Sequence, residues 1–169
     1  MDILQFAFGY FAVVIVACAL MVVISRNPVH SALFMLPLFF HVAGIFIMLN
    51  AEFVAALQVL VYAGAIMVLF LFVIMLIKSD VEKVRFHLNT MTALPLAVTV
   101  GGFIMSVVVR SAFTGAKGTS TVEAVQQAGN SQMIGQAMFS EFLMPFEVTS
   151  VILLVAMVGT IVLAKKKID

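Results

Sequence analysis

Five long apolar stretches divide the chain, and most of its polar residues fall between them. Each stretch is close to the roughly 20 residues that an α-helix needs to cross the hydrocarbon core of a bilayer. The pattern therefore predicts an all-α integral membrane protein that forms a single membrane domain over residues 1–169. The predicted transmembrane spans are residues 3–24, 32–49, 53–77, 91–109 and 145–164.

Helix-start signals accompany the second and fifth spans. Asn27 followed by Pro28 is typical of an N-cap residue and a first-turn proline. Pro145 and Glu147 predict a similar start for the fifth span, and a start nearer Ser140 would place the Glu147 carboxylate deeper in the membrane. Pro37 lies well inside the second span and predicts a kink, because proline lacks an amide donor.

Basic residues are distributed unequally between the two sides of the membrane, which predicts the orientation. The connection at residues 110–144 is rich in Gly, Ser, Thr and Gln, and predicts a polar outer loop, either ordered or containing a short surface helix. The count predicts an outer N-terminus and a cytoplasmic C-terminus. One side holds Arg26, Lys78, Lys83, Arg85, Lys165, Lys166 and Lys167, and the other holds Arg110 and Lys117.

Composition supports the membrane assignment and excludes several functions. Hydrophobic residues make up 64% of the chain and charged residues 10%, with a mean hydropathy of +1.22, so the chain has too few charges to cover a soluble fold. A net charge of +1 gives no basic surface for nucleic acid. The single cysteine, Cys18, excludes an intrachain disulfide and a four-thiolate metal site, so we expect any redox centre to belong to another chain.

Few ionisable side chains lie at or within the predicted spans, where such groups are functional candidates. Glu52 is either a helix-start acid at the membrane interface or a contact to a neighbouring subunit's ion path. Glu147 has the same two interpretations. His41 lies near the middle of the second span, where it is either a neutral imidazole bonded to a facing carbonyl or hydroxyl, or a proton relay.

The third span carries an unusual group of residues near mid-membrane. Tyr62 is followed by three small residues, Ala63, Gly64 and Ala65. Small residues allow a neighbouring helix to approach closely, which is one explanation for them. The other is a widened turn, since such turns inside helices occur mostly at functional sites. Spacing alone leaves both explanations open.

Three stretches of the sequence are similar to one known family. The chain resembles subunit J of the proton-pumping NADH-quinone oxidoreductase, respiratory complex I, whose mitochondrial counterpart is its subunit 6. The segments that carry the resemblance are NPVHSAL at 27–33, AEF at 51–53 with QVLVYAGAIMVLF at 58–70, and FE at 146–147 with LLVAMVG at 153–159. Residues 78–135 match the family only in length and hydropathy.

The resemblance implies a five-helix subunit at the junction of the membrane arm with the quinone-reducing arm, in the bacterial cytoplasmic (inner) membrane. In that family the third helix carries a wide turn whose conversion to regular helix is associated with opening a hydrated path, which places a coupling hinge at Tyr62, Ala63, Gly64 and Ala65. It also implies neighbours resembling subunits A, H and K, quinone bound by those neighbours, and FMN and iron–sulfur clusters in partner subunits. No catalytic residue is expected in this chain, and His41 is expected to be a lineage-specific polar contact.

Two other functions are compatible with a small apolar protein. A stand-alone secondary transporter would be expected to contain broken helices, a midplane ion site or an internal repeat, and none is evident in the sequence. A membrane scaffold or assembly protein is allowed by spacing alone. The motif match favours a non-catalytic subunit of an NADH-driven proton pump.

Overall fold

The computed structural model describes residues 3–77, 89–110, 125 and 127–166 of the 169-residue chain. Every element in this part of the chain is a helix. The helices are α1 (Ile3–Ile24), α2 (Pro28–Met48), α3 (Glu52–Leu76), α4 (Asn89–Arg110), α5 (Asn130–Phe139) and α6 (Leu143–Ala164). Helix α3 is continuous, but its middle part, Gln58–Ile66, is π-helical.

Four of these helices, α1, α2, α3 and α6, are long and apolar enough to cross a membrane. They coincide with the first, second, third and fifth predicted spans. Helix α4 has 22 residues at the position of the fourth predicted span, and the apolar part identified within it is Pro95–Val107. The chain is therefore a multi-pass membrane protein.

The start of α2 follows the sequence signal. The Val29 amide donates to Asn27 Oδ1 at 2.9 Å, and Pro28 occupies the first turn. This side-chain acceptor satisfies one of the amides that a helix start leaves without an intrahelical partner. Helix α2 continues through Pro37 to Met48.

The start of α6 differs from the prediction. The helix begins at Leu143 rather than Pro145, so Glu147 is its fifth residue and no acid lies in the first turn. Proline is tolerated throughout a first turn, because the amides there have no intrahelical acceptor. Pro145 therefore does not mark the first helical residue, and Glu147 is not a helix-start acid. The helix begins before Pro145, as in the alternative that the sequence left open, so Glu147 lies deeper in the helix than the first interpretation placed it.

Helices α1 and α2 pack closely at one glycine. A Cβ atom on Gly44 would lie 2.5 Å from Cε1 of Phe11, so only glycine leaves room for that ring. Ala32 and Ala43 are the buried residues of α2, and α2 also packs along the length of α3. Such small residues allow helix backbones to approach within a membrane.

Helix α5 lies within the predicted outer loop and connects two parts of the fold. It packs on α6, with the rings of Phe139 and Phe146 5.0 Å apart, and on the first turns of α3. The short surface helix expected within residues 110–144 is thus present. Residues 111–124 and 126 of that loop lie outside the described residues.

Three hydroxyl groups of α6 make hydrogen bonds within that helix. Thr149 Oγ1 donates to the Pro145 carbonyl at 2.8 Å, and Ser150 Oγ donates to the Glu147 carbonyl at 2.7 Å. Thr160 Oγ1 makes the same kind of bond to the Met157 carbonyl at 2.8 Å. Because these bonds stay within one helix, the hydroxyls can face lipid without an unpaired polar group.

Candidate functional site

The central feature of α3 is its widened middle turn. The π-helical segment Gln58–Ile66 includes Tyr62, Ala63, Gly64 and Ala65. The Met67 amide closes the segment by donating to the Tyr62 carbonyl, five residues earlier instead of the four of a regular α-helix. The residues that the sequence singled out therefore lie inside a locally widened helix.

The spacing of the buried residues along α3 shows the effect of this widening. Ala55, Gln58, Ala63 and Met67 are the buried residues of the helix, with successive separations of three, five and four residues. Separations of three and four keep residues on one face of a regular helix. A separation of five places the next residue about 100° beyond the position that a separation of four would reach. The wide turn absorbs that displacement, so all four residues share the face packed on α2.

Met67 anchors the part of α3 beyond the wide turn. It is 1% exposed and is the largest fully buried side chain of the described residues. Half-buried Leu71 and Ile74 follow at separations of four and three residues, which are those of a regular helix. The irregular step in the buried stripe therefore occurs only between Gln58 and Ala63.

The three small residues of the wide turn have different environments. Ala63 is buried against α2, whereas Gly64 and Ala65 are exposed in the isolated chain. A Cβ atom on Gly64 would lie 3.3 Å from the carbonyl oxygen of Val59, in the same helix, and no other described atom comes within 4 Å. Among the described residues, the space at Gly64 is thus limited by the backbone of its own helix and not by a neighbouring helix.

Tyr62 lies at the edge of the contact between α2 and α3. Its ring is 48% exposed and meets the ring of Phe39 edge to face, with the ring centroids 6.1 Å apart. The aromatic pair provides packing on one side of the wide turn.

His41 connects α1 and α2. Because a carbonyl oxygen can only accept, the 2.7 Å contact between His41 Nδ1 and the Pro37 carbonyl assigns the proton to Nδ1. Nε2, on the other side of the ring, lies 3.4 Å from the Tyr10 hydroxyl. The Phe11 ring packs edge-on against the imidazole, 5.8 Å between centroids. His41 thus contacts a carbonyl of its own helix and a hydroxyl group of α1.

The structure does not place the two candidate carboxylates in one site. Glu52 is the first residue of α3, and Glu147 lies in α6; both are exposed in the isolated chain. Glu52 lines a small polar cavity with Asn50 and with Gly129 and Asn130, at the start of α5. No group of three or more His, Cys, Asp or Glu residues able to hold a metal ion occurs in the described ranges.

One polar residue that sequence reasoning missed is Asn130. Its Oδ1 accepts from the Phe53 amide at 3.3 Å, and its Nδ2 donates to the Asn50 carbonyl at 3.1 Å. The only sequence signal was indirect, because α3 begins after Ala51, whose methyl group cannot cap a helix. A missing cap indicates that another group is needed, but it does not say which one.

Comparison with known proteins identifies the family of the chain. Residues 18–163 match the family of NADH-ubiquinone/plastoquinone oxidoreductase chain 6. The chain is 38% identical to NADH-quinone oxidoreductase subunit J of Rhodobacter capsulatus, over 96% of this chain and 82% of that protein.

Two further relatives carry different names. F(420)H(2) dehydrogenase subunit J of Methanosarcina mazei is 41% identical over 94% of this chain and 89% of its own. NAD(P)H-quinone oxidoreductase chain 6 of a Nostoc species is 40% identical over 95% of this chain and 79% of that protein. The chain therefore belongs to the NADH-ubiquinone/plastoquinone oxidoreductase chain 6 family, which includes subunit J of the bacterial enzymes.

Proposed function

We propose that this chain is a non-catalytic membrane-arm subunit of NADH-quinone oxidoreductase that couples quinone reduction to proton translocation through a hinge in α3. The observation that carries the proposal is the π-helical segment Gln58–Ile66, inside a membrane-spanning helix that has hardly any ionisable side chains. Widened turns inside helices are frequent at functional sites. A helix whose only Asp, Glu, Lys or Arg is Glu52, at its first residue, suits a conformational role better than a proton relay.

The hinge works by changing the width of this one turn. Conversion of the wide turn to a regular one rotates all later side chains by about 100° relative to the earlier ones. Met67 and Ala63 then leave the face toward α2, and Ile66 and Tyr62 take their places. Because Tyr62 and Ile66 are 48% and 47% exposed in the wide-turn state, the exchange alters which side chains border the neighbouring path. Water is admitted or excluded without movement of a charge in this chain.

The chemistry of the reaction resides in the partner subunits under this proposal. FMN and iron–sulfur clusters carry the electrons, and quinone is bound by neighbours that resemble subunits A, H and K. The complex lies in the bacterial cytoplasmic (inner) membrane with five spans of this chain, the N-terminus outside and the C-terminus in the cytoplasm. The resemblance to subunit J and the distribution of basic residues support this arrangement.

Substitution of Gly64 tests the hinge. A Cβ at this position lies 3.3 Å from the Val59 carbonyl oxygen, which would have to shift by a few tenths of an ångström, and valine is also branched at Cβ; we therefore expect Gly64→Val to disfavour the widened turn. We expect normal assembly, NADH binding and reduction of artificial acceptors, with quinone reduction coupled to pumping lowered about tenfold or more. Activities are compared at equal amounts of assembled complex in the same membranes.

The matched control is Gly9→Val. Gly9 lies in regular helix α1, where a Cβ atom would meet no described atom within 4 Å. This variant should retain coupled activity. Full coupled activity in Gly64→Val, or an unbroken regular α3 under both oxidising and reducing conditions, would refute the hinge.

A second candidate concerns the electron donor. The 41% identity to a protein named F(420)H(2) dehydrogenase subunit J indicates that similar chains occur in complexes named for another donor. Purification of the tagged native protein in mild detergent decides between the two. Flavin absorbance and NADH oxidation that co-purify support the first proposal, oxidation of reduced F420 supports the second, and neither activity would favour a transporter or a scaffold.

A further inference from the structure

The turn that precedes α3 is held from a distant part of the chain. The first amides of a helix have no intrahelical acceptors, and Ala51 offers none. Asn130 supplies one to the Phe53 amide, and its own amide group donates to the Asn50 carbonyl on the other side of the turn. Asn50 has a φ of 56°, in the left-handed region that asparagine tolerates better than most residues.

Because of its position in the fold, Asn130 contacts only one half of α3 among the described residues. Asn130 is the first residue of α5, which packs on Glu52–Leu57 but not on the π-helical segment or on Met67–Leu76. At its other end α5 packs on α6. Among the described elements, the half of α3 before the wide turn therefore packs on both α2 and α5. The half after the wide turn packs, among the same elements, only on α2.

When the wide turn becomes regular, the two halves of α3 rotate relative to each other. Which half turns within the membrane depends on which half is held. We propose that Asn130 is a positioning residue that holds the half before the wide turn, so that the rotation falls on Met67 and the residues after it. This inference rests on the proposed hinge function.

The test measures the rotation of each half separately, in the assembled complex in native membranes. Single cysteines replace Ala55, before the wide turn, or Met67, after it, in a Cys18→Ser background. Both positions are buried, with exposures of 4% and 1%. The rate of labelling by N-ethylmaleimide is measured at rest and during turnover with NADH and quinone.

With Asn130 intact, turnover should raise labelling of the cysteine at position 67 about fivefold or more, and leave that at position 55 within about twofold. With Asn130→Ala, the increase should appear at position 55 and diminish at position 67. Asn130→Asp keeps the acceptor for the Phe53 amide but not the donor to the Asn50 carbonyl, and should restore the original pattern in part. Gln132→Ala, on an exposed residue of the same helix, is the matched control and should also keep it.

Failure of the two proposals gives different results. If labelling at position 67 does not change with turnover when Asn130 is intact, the hinge fails and the positioning role fails with it. If that change occurs and Asn130→Ala leaves both rates as before, only the positioning role is overturned. Should Asn130→Ala fail to assemble, Asn130→Ser makes the same comparison, because its shorter side chain cannot reach both partners.

Discussion

His41, near the middle of α2, makes two polar contacts through its imidazole ring. Nδ1 donates to the Pro37 carbonyl of the same helix, and Nε2 lies 3.4 Å from the Tyr10 hydroxyl of α1. These contacts favour a structural role over a proton relay.

We therefore expect His41→Phe to keep coupled activity within about twofold, because an aromatic ring preserves the packing against Phe11 and Tyr10. His41→Ala removes that packing and should lower the amount of assembled complex. The measurements are coupled NADH-quinone activity and the yield of complex on native gels. Loss of pumping in a fully assembled His41→Phe enzyme would restore the relay interpretation.

The two carboxylates differ in their positions relative to helix starts. Glu52 is in the first turn of α3, where a carboxylate at the positive end of the dipole contributes about 0.3–1 kcal/mol, whereas Glu147 lies beyond that turn in α6. Glu52→Gln should lower coupled activity by no more than about a few-fold, and Glu147→Gln by less. Activity per assembled complex measures both. A complete loss of pumping from either change would identify that carboxylate as part of an ion path.

At the scale of elements, hydropathy predicted the helices to within a few residues because long apolar runs are unambiguous in a membrane protein. It could not predict which face of α3 is buried. The helix is apolar all round, so Met67, which is covered, and Leu69, which is 65% exposed, look alike in sequence. Small residues identified the region of the wide turn, but the five-residue step became visible only when burial was known.

A wide turn amounts to one extra residue in a helix, so removing one residue should remove it. Deletion of Leu60, which is 69% exposed, changes the separation between Gln58 and Ala63 from five to four. A regular helix then keeps Ala63 and Met67 on α2. We expect this variant to assemble, to show a regular α3 in a structure of the complex, and to lose coupled activity.

Deletion of Leu69 is the corresponding control. It lies beyond the wide turn, and its loss displaces half-buried Leu71 and Ile74 by about 100° from the face on α2. This variant should assemble poorly, as measured by the yield of complex in membranes. If the Leu60 deletion keeps full coupled activity with a regular α3, the wide turn is dispensable.

At the scale of the whole molecule, this chain has little core of its own. The buried apolar residues of the described part are Ala32, Ala43, Ala55, Ala63 and Met67, and neither α1 nor α6 has a buried residue. Apolar surfaces of this extent are covered by lipid or by other subunits. Sequence predicted this surface from composition, but it could not predict the contact of Asn130 with Asn50, which are 80 residues apart.

That contact supports a membrane crossing by α4. If α3 crosses the bilayer, the chain must return before residue 130 for Asn130 to lie beside Asn50. Helix α4 is the described helix between them, and its 22 residues are long enough to span. The same contact puts the turn at Asn50 and helix α5 on one side, as the distribution of basic residues predicts.

Reporter fusions test the complete topology. Alkaline phosphatase, which is active only outside the cytoplasm, should be active after Asn50, inactive after Glu82, active after Gly118 and inactive after Lys167. Without a crossing by α4, the fusion after Gly118 would be inactive like that after Glu82, and the fusion after Lys167 would be active. The opposite pattern at all four sites would reverse the orientation instead. Because the two errors give different patterns, the four fusions test the number of spans and their direction separately.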